Sequence, residues 1–203
     1  MMNRRSSRKA LAAAFTLIEL MVVVALIAVI LVLAAPSFRD MILMQRLRGI
    51  NAQVVADVAY ARTEAISRGT FVQVRFQSTT GSTGMSCYII YSRINSLDTQ
   101  KCDCTAAAGS RCGNNAVEVR TAQMPISDSV IVAPQTAGLD FYTIDPRTGG
   151  LLLPMDDEEV NPTGPFPIRV YIDTSREFVD VVGPSGRVKV CAPTLSTVGA
   201  EPC

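Results

Sequence analysis

The sequence predicts an α+β chain: one long N-terminal α-helix, with a transmembrane half and an amphipathic half, packed on a globular head of antiparallel β-sheets. Three observations predict it. Residues 15–35 form an apolar run broken by one ionisable residue, Glu19, and about 20 such residues are what a helix needs to cross a bilayer. Leu47, Ile50, Val54, Val58, Ala61 and Ala65 then recur at spacings of three and four, the stripe of a helix with one buried face. From Thr70 the apolar period becomes two, and many short stretches follow with no helical pattern between them, as antiparallel sheets require.

The first element is preceded by Arg4, Arg5, Arg8 and Lys9, with no acid among them. By the positive-inside bias that end stays in the cytoplasm and everything after Ala35 is exported. Glu19 is the anomaly. A carboxylate costs about 2.5–3.5 kcal/mol at the centre of a membrane helix and less near an end. Either the interface wets it or a cation partners it, and since the apolar run holds none, the cation comes from another chain or a newly made N-terminus. An ordinary secretory signal cut after Ala35 is the rival. It fits worse, because the run exceeds the usual 7–15-residue apolar region, carries an acid and would leave Pro36 directly after the cut.

Pro36 cannot donate a backbone hydrogen bond and is expected to kink or locally open the helix. The helix then continues as an amphipathic segment over residues 36–68, roughly 80 Å from residue 15 at 1.5 Å per residue, and stops at Gly69. Arg46, Arg48, Asp57, Arg62 and Glu64 fall mostly off the stripe, and Arg62 is expected to reach a carboxylate on the sheet. In the head, residues 69–203, strands are predicted at 71–76, 87–91, 116–121, 129–133, 139–144, 150–153, 168–173, 177–182 and 188–191. Residues 79–84 form a hairpin loop. Residues 141–150 form a strand–turn–strand unit in which Pro146 sets φ and Gly149 or Gly150 takes the positive-φ position. The acids Asp156, Asp157, Glu158 and Glu159 read as a solvated loop tip, and a calcium site there lacks EF-hand spacing.

Six cysteines, Cys87, Cys102, Cys104, Cys112, Cys191 and Cys203, all follow the apolar run. An even count in an exported domain reads as disulfides, with 15 connectivities open to six cysteines. Zinc is the weaker reading, since histidine is absent and Cys102-x-Cys104 is tighter than zinc spacing. Residues 96–115 hold three of the cysteines and little apolar content, so cross-linking is their main source of order. Without histidine no Ser-His or Cys-His nucleophile exists, and no Gly-rich phosphate loop is present, so neither an enzyme nor a cofactor or metal site is expected. The formal charge of +1 becomes −3 when Arg4, Arg5, Arg8 and Lys9 are set aside, 15 basic residues against 18 acidic, so any nucleic-acid contact of the rest must be local.

The stretch Ala14-Phe15-Thr16-Leu17-Ile18-Glu19 resembles the processing site of type IV pilins and type II secretion pseudopilins, with Ala14 where that family usually has Gly. The resemblance implies the pilin fold, with residues 1–14 a leader that a prepilin peptidase removes. It implies a cut between Ala14 and Phe15, N-methylation of Phe15, and Glu19 assisting assembly by pairing with a neighbour's N-terminus. Residues 61–66, Ala-Arg-Thr-Glu-Ala-Ile, resemble the "ARSEAI" box of the FimT and GspH branch, the minor pilins and minor pseudopilins. Residues 141–150 resemble that branch's "F-x-P-x-G" hairpin, and residues 177–190 its closing hairpin. Gly186-Arg187-Val188-Lys189 is similar to the Gly-Arg-x-Arg motif of FimT-like DNA receptors, with Lys keeping the second charge but not the guanidinium fork. That implies contact of Arg187 and Lys189 with phosphates of double-stranded DNA; the alternative is a plain hairpin with two exposed cations. The resemblance implies a minor type IV pilin that primes pilus assembly or sits at the tip, alternatively a GspH-like minor pseudopilin of type II secretion. Its expected partners are other pilins or pseudopilins and the peptidase. It would sit in the inner membrane with the N-terminus cytoplasmic and the head periplasmic, and then in the filament.

Overall fold

The computed structural model describes residues 16–79, 84–94, 101–113, 115–126, 130–136, 138–155, 158–160, 164–193, 196 and 198–203. The leader with Ala14, Phe15, most of the predicted 79–84 loop, and Asp156 and Asp157 lie outside the described residues. The chain divides into two units, Met1–Ile42 and Leu43–Cys203.

The described part of the first unit belongs to helix α1 (Leu17–Arg68), which is assigned helical through position 36. It starts at Thr16, whose side-chain oxygen accepts a hydrogen bond from the Glu19 amide at 3.3 Å and whose carbonyl accepts one from Leu20 at 3.2 Å. Thr16 is thus the N-cap, and Thr16-x-x-Glu19 is the threonine–glutamate spacing of a capping box. Large apolar side chains from Leu17 to Leu33 are exposed all round, and the helix is long and apolar enough to cross a membrane.

In the second unit the helix buries the predicted stripe. Leu47, Val54, Val58, Ala61 and Ala65 are at most 2% exposed, with Ile50 packed at the margin. Gly69, at φ 64°, ends the helix in the left-handed conformation that glycine adopts without a Cβ penalty. Ten strands follow: β1 (Phe71–Thr79), β2 (Met85–Arg93), β3 (Ala116–Pro125), β4 (Ile131–Pro134), β5 (Phe141–Ile144), β6 (Leu151–Met155), β7 (Glu158–Val160), β8 (Phe166–Asp173), β9 (Arg176–Val182) and β10 (Val188–Cys191). They form two antiparallel sheets, ordered β3-β2-β1-β5-β6-β7 and β10-β9-β8-β4. One core joins the helix stripe to the inner faces of both sheets, where the Phe166 ring lies 4.9 Å from Tyr142 and 6.1 Å from Phe76. Ser86 ties the sheets at the free edge of β4, its hydroxyl donating to the Val132 carbonyl at 2.8 Å and accepting from the Val132 amide at 2.9 Å.

The outer face of β2 is covered as well. Cys87, Ile89 and Tyr91 pack under residues 101–113, which are stapled by Cys87–Cys104 and Cys102–Cys112. Gln77 and Gln123 hold the Cys104 backbone from the sheet, accepting from its amide at 2.7 Å and donating to its carbonyl at 2.6 Å. The third bridge, Cys191–Cys203, closes the C-terminal segment back onto β10, and Ser196 bonds both backbone groups of Glu177 on β9. All six sulfurs are consumed in these bridges.

Three expectations are corrected. Strand β3 runs past residue 121 to Pro125, because Ala122 and Met124 still face the core. Glu158 and Glu159 are not loop tip but lie in β7, paired with Met155 and Pro154. Asp57, read as lying mostly off the apolar stripe, is 1% exposed and bonded to the sheet.

Candidate functional site

The stretches that carried the family resemblance in the head meet at one place. The β5–β6 turn is built by Asp145, which accepts the amides of Gly149 (2.8 Å, by its carbonyl) and Arg147 (2.9 Å, by its side chain). Gly149 takes the positive φ, 66°, and Gly150 does not. The β9–β10 turn closes through Gly183 donating to the Arg187 carbonyl and Gly186 donating to the Gly183 carbonyl, both at 2.8 Å, with Gly186 at φ 75°. Leu151 donates to the Pro184 carbonyl at 2.9 Å, so the two turns dock backbone to backbone. A Cβ on Gly186 would overlap the Gly149 carbonyl oxygen, and one on Gly149 would fall 2.9 Å from the Arg62 Nε. Arg62 lies across this junction and donates from Nε to the Gly149 carbonyl at 3.1 Å. Its partner is therefore a backbone carbonyl rather than the expected carboxylate, because the glycine turn brings main chain, with no side chain, against the helix.

Arg187 precedes β10 and Lys189 lies within it, two residues on; both are exposed. Neither takes part in an ion pair among the described residues. Between α1 and this hairpin lies a groove of about 380 Å³, lined by Val55, Ala59, Arg62, Thr63, Arg187 and Val188.

Two buried acids went unread in the sequence. Asp57 accepts from the Tyr88 hydroxyl at 2.6 Å and from Arg120 Nε at 3.0 Å, which locks the helix in register with β2 and β3. Burial, and then the Asp57 bond, push the Tyr88 hydroxyl well above the usual phenol range. Its signal was available: Asp57 lies three residues after Val54 and next to Val58, at the edge of the stripe. Asp180 sits on the inner face of β9 between Ile168 and Val190, fully buried, and neither of its oxygens has a hydrogen-bond partner among the described residues. Burial pushes its carboxyl up to about 7. Tyr142, also buried without a hydroxyl partner, is raised by burial and then by the Asp180 charge.

A family model described as type II transport protein GspH matches residues 52–191, more than half of the chain. The chain belongs to the GspH family. That sets it among the minor pilins and pseudopilins that its N-terminal stretch resembles. The matched region holds the helix stripe from Val54 on, both docked turns and all ten strands. Among curated proteins none matches. Among solved structures the type IV minor pilin FimU of Pseudomonas aeruginosa is similar, at 14% identity and a TM-score of 0.45, over 74% of this chain and 94% of that one.

Proposed function

We propose that this GspH-family chain is a minor subunit of a helical type IV pilus-type filament, inserted in the inner membrane with its head outside and released to assembly by a prepilin peptidase. The observation that carries this reading is Glu19, the one ionisable residue between Leu17 and Phe38, on a stretch of helix whose large apolar side chains from Leu17 to Leu33 are exposed. Glu19 sits in the first helical turn, where the helix dipole favours a carboxylate. A cut before Phe15 places an ammonium at that same positive end, where it is repelled. Glu19 of the same or an adjacent copy offsets that charge, and in a low-dielectric bundle an unpaired ion of either sign is strongly unfavourable. Pro36 is the point at which the helix lacks a backbone donor and bends as copies pack.

Glu19→Ala is expected to cut the amount of the chain recovered in sheared filaments by tenfold or more, while its level in the membrane stays at wild type. Wild-type recovery of the variant removes the pairing role. Co-purification with a pilus rather than a secretion complex distinguishes a FimT-like pilin from a GspH-like pseudopilin.

A second reading, DNA capture, is favoured by Arg187, just before β10, and Lys189 within it, both exposed and neither in an ion pair among the described residues. The remaining charge of the processed chain is net negative, so the contact is confined to this local patch.

A further inference from the structure

We infer that the groove between α1 and the β9–β10 hairpin seats a phosphodiester of double-stranded DNA between the guanidinium groups of Arg62 and Arg187. Arg62 is then a phosphate-binding residue as well as the clasp of the two turns. The inference rests on the DNA-capture reading and extends it from one strand to the helix.

Three features of the groove point this way. First, Arg62 is held before any ligand arrives. Its Nε is anchored to the Gly149 carbonyl, and its Cδ and Nε pack against Gly186, while its two terminal nitrogens have no partner among the described residues. An arginine whose stem is already ordered loses little rotamer freedom on binding, and its remaining fork of donors matches two phosphate oxygens. Second, no acid among the described residues lines the groove: its other walls are Val55, Ala59, Thr63, Gly186 and Val188, and the Thr63 hydroxyl is turned back onto the Ala59 carbonyl at 3.1 Å. A phosphate therefore meets two cations and no carboxylate, while the apolar wall suits the carbon face of a deoxyribose. Third, the exposed Lys189 lies two residues beyond Arg187 in the chain and offers a cation for a further phosphate. There are no aromatic rings in the groove to stack bases, so contact is through the backbone and is indifferent to sequence.

The test uses the full chain in detergent and a 30-base-pair duplex, with binding followed by fluorescence anisotropy at several salt concentrations. Ala59→Glu places a carboxylate in the groove at an exposed helix position, clear of the turn junction; Val117→Glu, on the exposed face of β3, is the charge-matched control. Ala59→Glu is expected to weaken binding by tenfold or more, and Val117→Glu by less than about twofold. Arg62→Met and Arg187→Met are each expected to lower the slope of log affinity against log salt by about 0.9, the value for one lost phosphate contact. If Ala59→Glu acts no more strongly than Val117→Glu while Arg187→Met and Lys189→Met still weaken binding, the groove is not the seat and this inference fails alone. If the wild-type chain shows no salt-sensitive binding even at low salt, the DNA-capture reading falls with it.

Discussion

Replacing Asp180 by Asn is expected to stabilise the head at pH 8 by up to about 4 kcal/mol, and to change it by no more than about 1 kcal/mol at pH 4. The carboxyl titrates near 3.8 when exposed, and burial between Ile168 and Val190 pushes it up to about 7. The native state therefore holds the proton more tightly than the unfolded state does. The stability this contributes is complete below the unfolded value and is lost as pH rises through the native value. Each unit of difference corresponds to about 1.4 kcal/mol, which sets the upper figure. In the wild-type head the loss falls between pH 4 and pH 7 and levels off above. Asp173, held down to about 2 by Arg176 and Ser175, acts in the opposite sense but below this window. Unfolding midpoints in detergent, followed by the near-ultraviolet signal of the buried tyrosines, isolate the effect as the difference between variant and wild type. A difference that does not change between pH 4 and pH 8 would mean that the native carboxyl titrates at its ordinary value.

The second large effect is expected at Gly186. Its φ of 75° alone costs an alanine about 1–2 kcal/mol. At this position the added Cβ also overlaps the Gly149 carbonyl oxygen, and what must yield is backbone in a turn already fixed by Asp145. Gly186→Ala is therefore expected to cost about 3–5 kcal/mol, the backbone cost and the overlap together. Gly109→Ala is the matched control: φ there is 86°, but nothing lies within 4 Å of the added carbon, so the backbone cost stands alone. Equal losses at the two positions would show that the turns do not press together as described.

Both effects lie where the sequence could be read only in part. The helix stripe was legible because five of its six positions are buried to the last few per cent, and a 3.6-residue period shows in the order of apolar residues alone. The bounds of β10 were legible from the turn at Gly186 and the disulfide at Cys191. Asp180 was not. Glu177, Phe178, Val179 and Asp180 are all buried, and on the face that alternation would leave wet Arg169 of β8 lies against Glu177 and bonds both of its carboxylate oxygens. With both faces covered, period two no longer says which residues point inward. The pairing of Cys102 with Cys112 and of Cys104 with Cys87 was hidden for a related reason. Two cysteines separated by one residue bond to different partners, and only the fold decides which sulfur faces the sheet. Arg62 was visible as a cation at the helix end, but its carbonyl partner is main chain brought up by Gly149, and main chain has no signature in residue identity.

Assembly as a filament subunit depends on an ammonium being made beside Glu19. Mass spectrometry of the N-terminal peptide of the chain purified from its own membrane tests it most directly. The expected peptide begins at Phe15, carries one methyl group on its amine, and comes from protein retained in the lipid fraction. A chain that begins at Pro36 or Ser37 and is recovered free of lipid would contradict it.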